Sequence, residues 1–156
     1  MSLNIYSTFA CSHQECATLI RTNGAKISYI IEGEPGIGKS SILKTLEKQM
    51  GDAYEYIYVD VPLKDIPDIA LSMPDHATQT TKAFINEIWK GKDLSKPKVI
   101  MLDEIFKGTP YVQLMMNRLL LEKTVGDYKL PADSIVFGTT NFATDGVGDK
   151  TNGHTN

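Results

Sequence analysis

Residues Gly33-Glu34-Pro35-Gly36-Ile37-Gly38-Lys39-Ser40 stand between an apolar run, Ile27-Ser28-Tyr29-Ile30-Ile31, and a helical stretch over residues 41–50. The eight match G-x-x-x-x-G-K-[ST], a pattern whose chemistry dictates the structure around it. Its glycines let successive backbone N–H groups turn inward around an anion. Its lysine reaches the β/γ oxygens of a polyphosphate, and its hydroxyl ligates Mg²⁺. A helix N-terminus beneath the loop adds partial positive charge to the same anion. Such a loop needs a strand before it and a helix after it, and both are legible here. The pattern implies an α/β unit with a nucleoside phosphate held by residues 33–40 and by Ser41, which opens the helix.

Composition narrows the class. At 156 residues the chain is expected to be one domain, long enough for a proper core. Its net charge of −3, with both signs dispersed, gives no basic footprint for nucleic acid. No run approaches the ~18 apolar residues of a membrane span, and the N-terminus has no signal-like segment. A cytoplasmic location is therefore expected. Cys11 and Cys16 are the only cysteines and flank His13, while the other histidines are the distant His76 and His154. A structural zinc site wants four ligands, so two reduced thiols are expected instead. Ser12-His13-Gln14-Glu15 matches a capping box. Cys16, Leu19 and Ile20 form an apolar stripe, and Asn23-Gly24 is a stop signal. These features predict a packing helix.

Strand and helix patterns then alternate. Ile42, Leu43, Leu46 and Met50 share a helical face ahead of Gly51, and residues 54–59 read as a second strand. Pro62, Pro67 and Pro74 suggest a loop-rich crossover over residues 60–80. A helix is expected over residues 80–89, burying Ala83, Phe84 and Ile88. The continuous apolar run Val99-Ile100-Met101-Leu102 suits a strand buried on both faces of a parallel sheet. It delivers Asp103-Glu104 at its C-terminal end, where open α/β sheets place their ligands. Beside a phosphate loop, the first carboxylate suits the Mg²⁺ shell and the second can polarise an attacking water; capping of the next turn is the alternative. Thr109-Pro110 opens a helix whose core stripe is Val112, Met115, Met116, Leu119 and Leu120, with Arg118 off that face. Residues 123–130 read as a hairpin turning at Gly126-Asp127. Residues 134–141 form another strand, ending in Thr139-Thr140-Asn141. Next to the Asp103 strand, Asn141 would reach both a γ-phosphate and its lytic water; a polar turn is the alternative. Residues 145–156, rich in Gly, Asn, Thr and Asp, read as exposed loop.

The order of these motifs, 33–40, then 99–104, then 137–141, resembles an AAA+ ATPase. Asp103-Glu104-Ile105, Pro110, Val112-Gln113, Leu119 to Glu122 and the hairpin after them are similar to the MoxR-type branch. The resemblance covers roughly residues 10–142 and implies a P-loop NTPase fold. That fold is a three-layer αβα sandwich whose mostly parallel sheet has the P-loop strand at its centre. It implies ATP and Mg²⁺ as ligands. By the same resemblance Lys39 and Ser40 handle phosphate and metal, Asp103 the metal, Glu104 the water, and Asn141 acts as a sensor. Such proteins form homo-oligomeric, usually hexameric, rings that remodel protein or nucleoprotein substrates.

In that family an arginine finger, a fifth strand and a helical lid follow the sensor asparagine. No arginine follows Arg118 here, and the only other one is Arg21. The sequence is therefore expected to be a fragment that hydrolyses ATP slowly alone, with the strand over residues 27–31 left at a sheet edge. Two functions are consistent with these residues: the ATPase core of a remodelling machine, and a nucleotide-dependent binding module or loader with little hydrolysis.

Overall fold

A computed structural model describes residues 10–141. In chain order it contains α1 (His13–Asn23), β1 (Tyr29–Gly33), α2 (Ser41–Met50), β2 (Glu55–Asp60), β3 (Ala70–Asp75), β4 (Thr80–Ile85), β5 (Lys98–Asp103), α3 (Pro110–Glu122), β6 (Thr124–Val125), β7 (Tyr128–Lys129) and β8 (Ile135–Asn141). Four strands form one parallel sheet in the order β1-β8-β5-β2. Among the described residues β1 is an edge strand, paired only to β8. The expected loop over residues 145–156 lies outside the described residues.

Strand alternation divides the core into two layers. On one face Ile57, Val59, Ile100, Leu102 and Val136 pack with Val112, Met116 and Leu119 of α3. On the other, Val99, Met101, Ile135 and Phe137 meet Ala17 and Ile20 of α1 and Ile42, Leu43 and Leu46 of α2. The three-layer α/β architecture implied by the sequence is the one observed. Local signals set the helices as read: Ser12 and Glu15 form both bonds of the capping box, and Gly51 closes α2 at φ 68°. The β2–β5 register is clasped at its start by the pair Glu55 and Lys98, 3.2 Å apart, with Lys98 fully buried.

The expected helix over residues 80–89 is not there. Residues 80–85 are β4, paired antiparallel to β3, and only Glu87–Trp89 coil, as a short 3-10 turn. Leu71 to Pro74, read as loop, lie within β3. The deciding chemistry is local. Asp75 Oδ1 accepts from the Ala77 and Thr78 amides, Gln79 takes φ 56°, and Lys82 pairs with Asp75 across the hairpin. This Asx-type turn, followed by β-branched Thr80 and Thr81, favours extended backbone over helix. Phe84, expected inside, is 57% exposed.

The two structures of this segment differ in a measurable way. Phe84→Ala should change stability by no more than about 0.5 kcal/mol, as exposed substitutions do. Phe137→Ala, in the core, should cost about 3–5 kcal/mol. Urea denaturation of both variants checks this; a Phe84 loss as large as the Phe137 loss would restore the buried helix.

Candidate functional site

The chain leaves β1 through a tight loop in which Gly36 and Gly38 take φ 81° and 86°. L side chains resist these angles, which explains glycine at both positions. A methyl on Gly38 would also stand 3.4 Å from Cε1 of His13 on α1, so that helix abuts the loop. Lys39 is buried and its ammonium donates to three acceptors: the Gly33 and Glu34 carbonyls, each at 2.9 Å, and Asn141 Oδ1 at 2.8 Å. The Ser41 hydroxyl donates to the Gly38 carbonyl at 2.6 Å, and the Ser41 amide bonds the same oxygen.

The two motif halves meet because β8 lies between β1 and β5. Its register sets Asn141 opposite Gly33, and Gly138 opposite Leu102. Asn141 therefore reaches both ways. Its Oδ1 accepts from Lys39, and its Nδ2 donates to Glu104 Oε1 at 2.7 Å. The other Glu104 oxygen is buried and lies 3.2 Å from Lys107 Nζ, an ionic contact without the alignment of a hydrogen bond. Asp103 is held at both oxygens: Thr139 Oγ1 donates to Oδ1 and Tyr58 Oη to Oδ2, each at 2.5 Å. Burial, the Asp103 hydrogen bond and the charges of Asp103, Asp60 and Glu104 push the Tyr58 hydroxyl well above its usual range. It therefore stays a donor.

Pro35, Gly36, Gly38, Lys39, Ser40, Asp103, Glu104 and Asn141 line one open cleft of about 170 Å³. Whole ligand pockets commonly run about 300–1,000 Å³, so this recess is smaller than a pocket for a whole ligand. Its donor set suits a hard cation. Ser40 and Asp103 supply one hydroxyl and one carboxylate, and Mg²⁺ characteristically takes one or two such protein ligands with substrate phosphates and waters. Of the residues singled out from sequence, Pro35, Gly36, Gly38, Lys39, Ser40, Asp103, Glu104 and Asn141 thus converge on the cleft, while Gly33, Glu34, Ile37 and Ser41 do not line it. Tyr58 and Thr139, at Asp103, and Lys107, at Glu104, join them without having been singled out. Period-two alternation puts Tyr58 and Asp60 on one strand face, which is the only sequence signal for Tyr58. Arg118, expected off the core face, donates to Glu122 Oε2 and to the Gly126 carbonyl, both at 3.0 Å.

A parallel sheet with a glycine loop from β1 and an acidic strand end beside it defines a P-loop-type α/β protein. Residues 28–130 match the family model described as AAA domain (dynein-related subfamily). The chain belongs to that family. Among solved structures it is similar to a candidate ATPase from Cytophaga hutchinsonii, with 21% identity and a TM-score of 0.49. The match covers 83% of this chain and 38% of that one, so this chain spans well under half of its length. No curated protein matches the sequence. No helix among the described residues is long and apolar enough to cross a membrane.

Cys11 and Cys16 flank the capping box, in the positions of a hydrophobic staple at the start of α1. Their sulfurs are 2.6 Å apart and both thiols are free. The described residues contain no cluster of three or more His, Cys, Asp or Glu able to hold a metal. Burial, chiefly, with the Cys11 contact and the Glu15 charge, pushes the Cys16 thiol up to about 12. A thiol raised so far stays protonated at pH 8 and so out of the reactive thiolate form. Maleimide at pH 8 should label Cys11 and spare Cys16 in the folded protein, and label both in urea. Mass spectrometry of the labelled peptides reads the result; equal native labelling would show that Cys16 is not buried.

Proposed function

We propose that this chain is the ATP-binding and ATP-hydrolysing core of an AAA+ remodelling machine. The observation that carries the reading is the single amide of Asn141, bonded at once to Lys39 of the glycine loop and to Glu104 of the acidic pair. A polyphosphate in the cleft would lie along the loop amides of residues 36–41, with Lys39 on its β/γ oxygens. Ser40 and Asp103 are the residues that would hold Mg²⁺, which would supply positive charge to offset that of the phosphates. Glu104 would take a proton from the attacking water as its oxygen bonds to γ-phosphorus and the bond to the β–γ bridging oxygen breaks. ADP and inorganic phosphate are the products. Asn141 would orient water and phosphate together. Assembly into a ring and remodelling of a protein or nucleoprotein substrate belong to the same proposal, with membership of the AAA domain family as their support.

Binding is tested first. Calorimetric titration with Mg-ATP should give a saturable isotherm, and Mg-GTP a weaker one, because the chain has no N-K-x-D guanine-reading motif. Lys39→Ala removes a charge-assisted contact and should weaken ATP binding by about 10–100-fold. No saturation with wild type, or a GTP preference, would end the reading.

A second reading, a nucleotide-dependent binding module with little turnover, is favoured by one specific feature. Both Glu104 oxygens are engaged, one by Asn141 and one by Lys107, so a water would have to displace one of them to reach the carboxylate. Glu104→Gln separates the two. In the assembled protein it should keep ATP binding and lower hydrolysis by about 10²–10⁴-fold; unchanged turnover would favour the module.

These 156 residues by themselves are expected to turn over slowly. An arginine finger supplied in trans is worth about 10³–10⁵ in rate, and Arg118 is tied to Glu122 and Gly126. Turnover measured across protein concentrations is the check. Brisk hydrolysis by a demonstrated monomer would show a site complete without a neighbour.

A further inference from the structure

Tyr58 belongs to none of the motifs, yet its hydroxyl is directed at the centre of the site. β2 runs beside β5 with Asp60 opposite Asp103 and Tyr58 opposite Met101. Alternation puts all four side chains on one face of the sheet. The length of a tyrosine lets its hydroxyl cross the diagonal to Asp103, where it meets Oδ2 at 2.5 Å. From the opposite side, Thr139 on β8 meets Oδ1 at the same distance. The Asp103 carboxylate is therefore gripped at both oxygens by hydroxyls from the strands on either side of it. Its plane cannot rotate without breaking one bond. Each carboxylate oxygen accepts at about two lone-pair sites, so both oxygens keep acceptor capacity for a cation or its waters.

The two hydroxyls differ in what else they do. Thr139 is fully buried and its backbone carbonyl accepts the Ile105 amide at 3.0 Å, so it is fixed by packing. Tyr58 is 46% exposed. Removing its hydroxyl opens no core cavity and leaves the ring in place.

We propose that Tyr58 is a positioning residue for the metal, orienting Asp103 towards the Mg²⁺ of a bound nucleotide. This rests on the reading of Asp103 as the carboxylate that faces Mg²⁺. Groups that hydrogen-bond a metal ligand from behind commonly account for about 10–100-fold in metal affinity.

The test measures binding, not turnover. ATP affinity of the whole chain is determined by calorimetry with excess EDTA and again with excess Mg²⁺, and the ratio is the gain due to metal. Tyr58→Phe should keep the wild-type melting temperature and the wild-type affinity in EDTA, and lose most of the gain. In an Asp103→Asn background, Tyr58→Phe should change nothing further, because its effect passes through Asp103. Thr139→Ser, which keeps the second hydroxyl, should retain the gain. An undiminished gain in Tyr58→Phe overturns the inference, as does an equal loss with and without Mg²⁺, since that marks a structural role. If wild type binds ATP but shows no gain from Mg²⁺, the reading of Asp103 fails and takes the inference with it. If wild type does not bind ATP at all, the nucleotide reading of the whole site has failed.

Discussion

The insertion of β8 between β1 and β5 is the constraint on which the site depends. Lys39 and Asn141 are 102 positions apart in sequence, yet their side chains meet at 2.8 Å. They do so because parallel pairing sets Asn141 opposite Gly33, the residue that enters the glycine loop. The same strand pairs with β5 through Gly138 and Leu102, one step before Thr139 and Asp103. The four strands of this sheet point one way, so their C-terminal ends form a single rim, which is where an open parallel sheet collects ligands. An antiparallel β8 would send Asn141 to the opposite rim and leave Lys39 without its partner. A one-residue slip would turn Thr139 and Asn141 to the other face.

At the end of β5 the backbone departs from regularity. Glu104 takes φ 55°, in the left-handed region that non-glycine residues avoid. A residue held in such a conformation costs of order 1–3 kcal/mol, and it persists only where its surroundings fix it. Here they do. The Glu104 amide donates to Thr139 Oγ1, the Ile105 amide to the Thr139 carbonyl, and Asn141 to the Glu104 carboxylate. The reversal turns the strand away immediately after Asp103, so that two consecutive carboxylates line the same cleft. In regular strand, adjacent residues face opposite sides of the sheet, and Asp103 and Glu104 would be separated by it.

The parts legible in sequence are those set by local chemistry or by long apolar runs. The capping box of α1, the glycine stop of α2, the proline start of α3 and the buried apolar run of β5 all carried such signals. The hairpin of β3 and β4 did not. Its strands are mostly exposed, so burial imposed no two-residue period on them, and Ala83, Phe84 and Ile88 mimicked a helical face. The turn that decides the matter is held by the single side chain of Asp75. In the site, the loop and the acidic pair announce themselves as contiguous strings. Tyr58 and Thr139 reach Asp103 from β2 and β8, on either side of β5, so their part depends on strand order and register. Lys107 reaches Glu104 only because the left-handed turn brings residue 107 back across residue 104.

The bonding around Asn141 links the two halves of the cleft. Three acceptors take up the three hydrogens of the Lys39 ammonium, and one of the three is Asn141 Oδ1. In the proposed ATPase, a γ-phosphate at Lys39 competes with those acceptors. The side-chain amide is the one that can yield by rotation, because the Gly33 and Glu34 carbonyls belong to the loop backbone. Rotation of that amide would also move Nδ2 away from Glu104 Oε1, which in the proposed reaction would free that oxygen for water. Phosphate occupancy and release of Glu104 would then be coupled through one side chain, and the coupling would be reciprocal: whatever holds Glu104 against Asn141 would also hold Asn141 against Lys39, and so oppose phosphate. Lys107 acts on that balance from the far side, since its charge draws on Glu104 Oε2 while Asn141 draws on Oε1. With its side chain 59% exposed, it is the member of this network most open to a neighbouring surface.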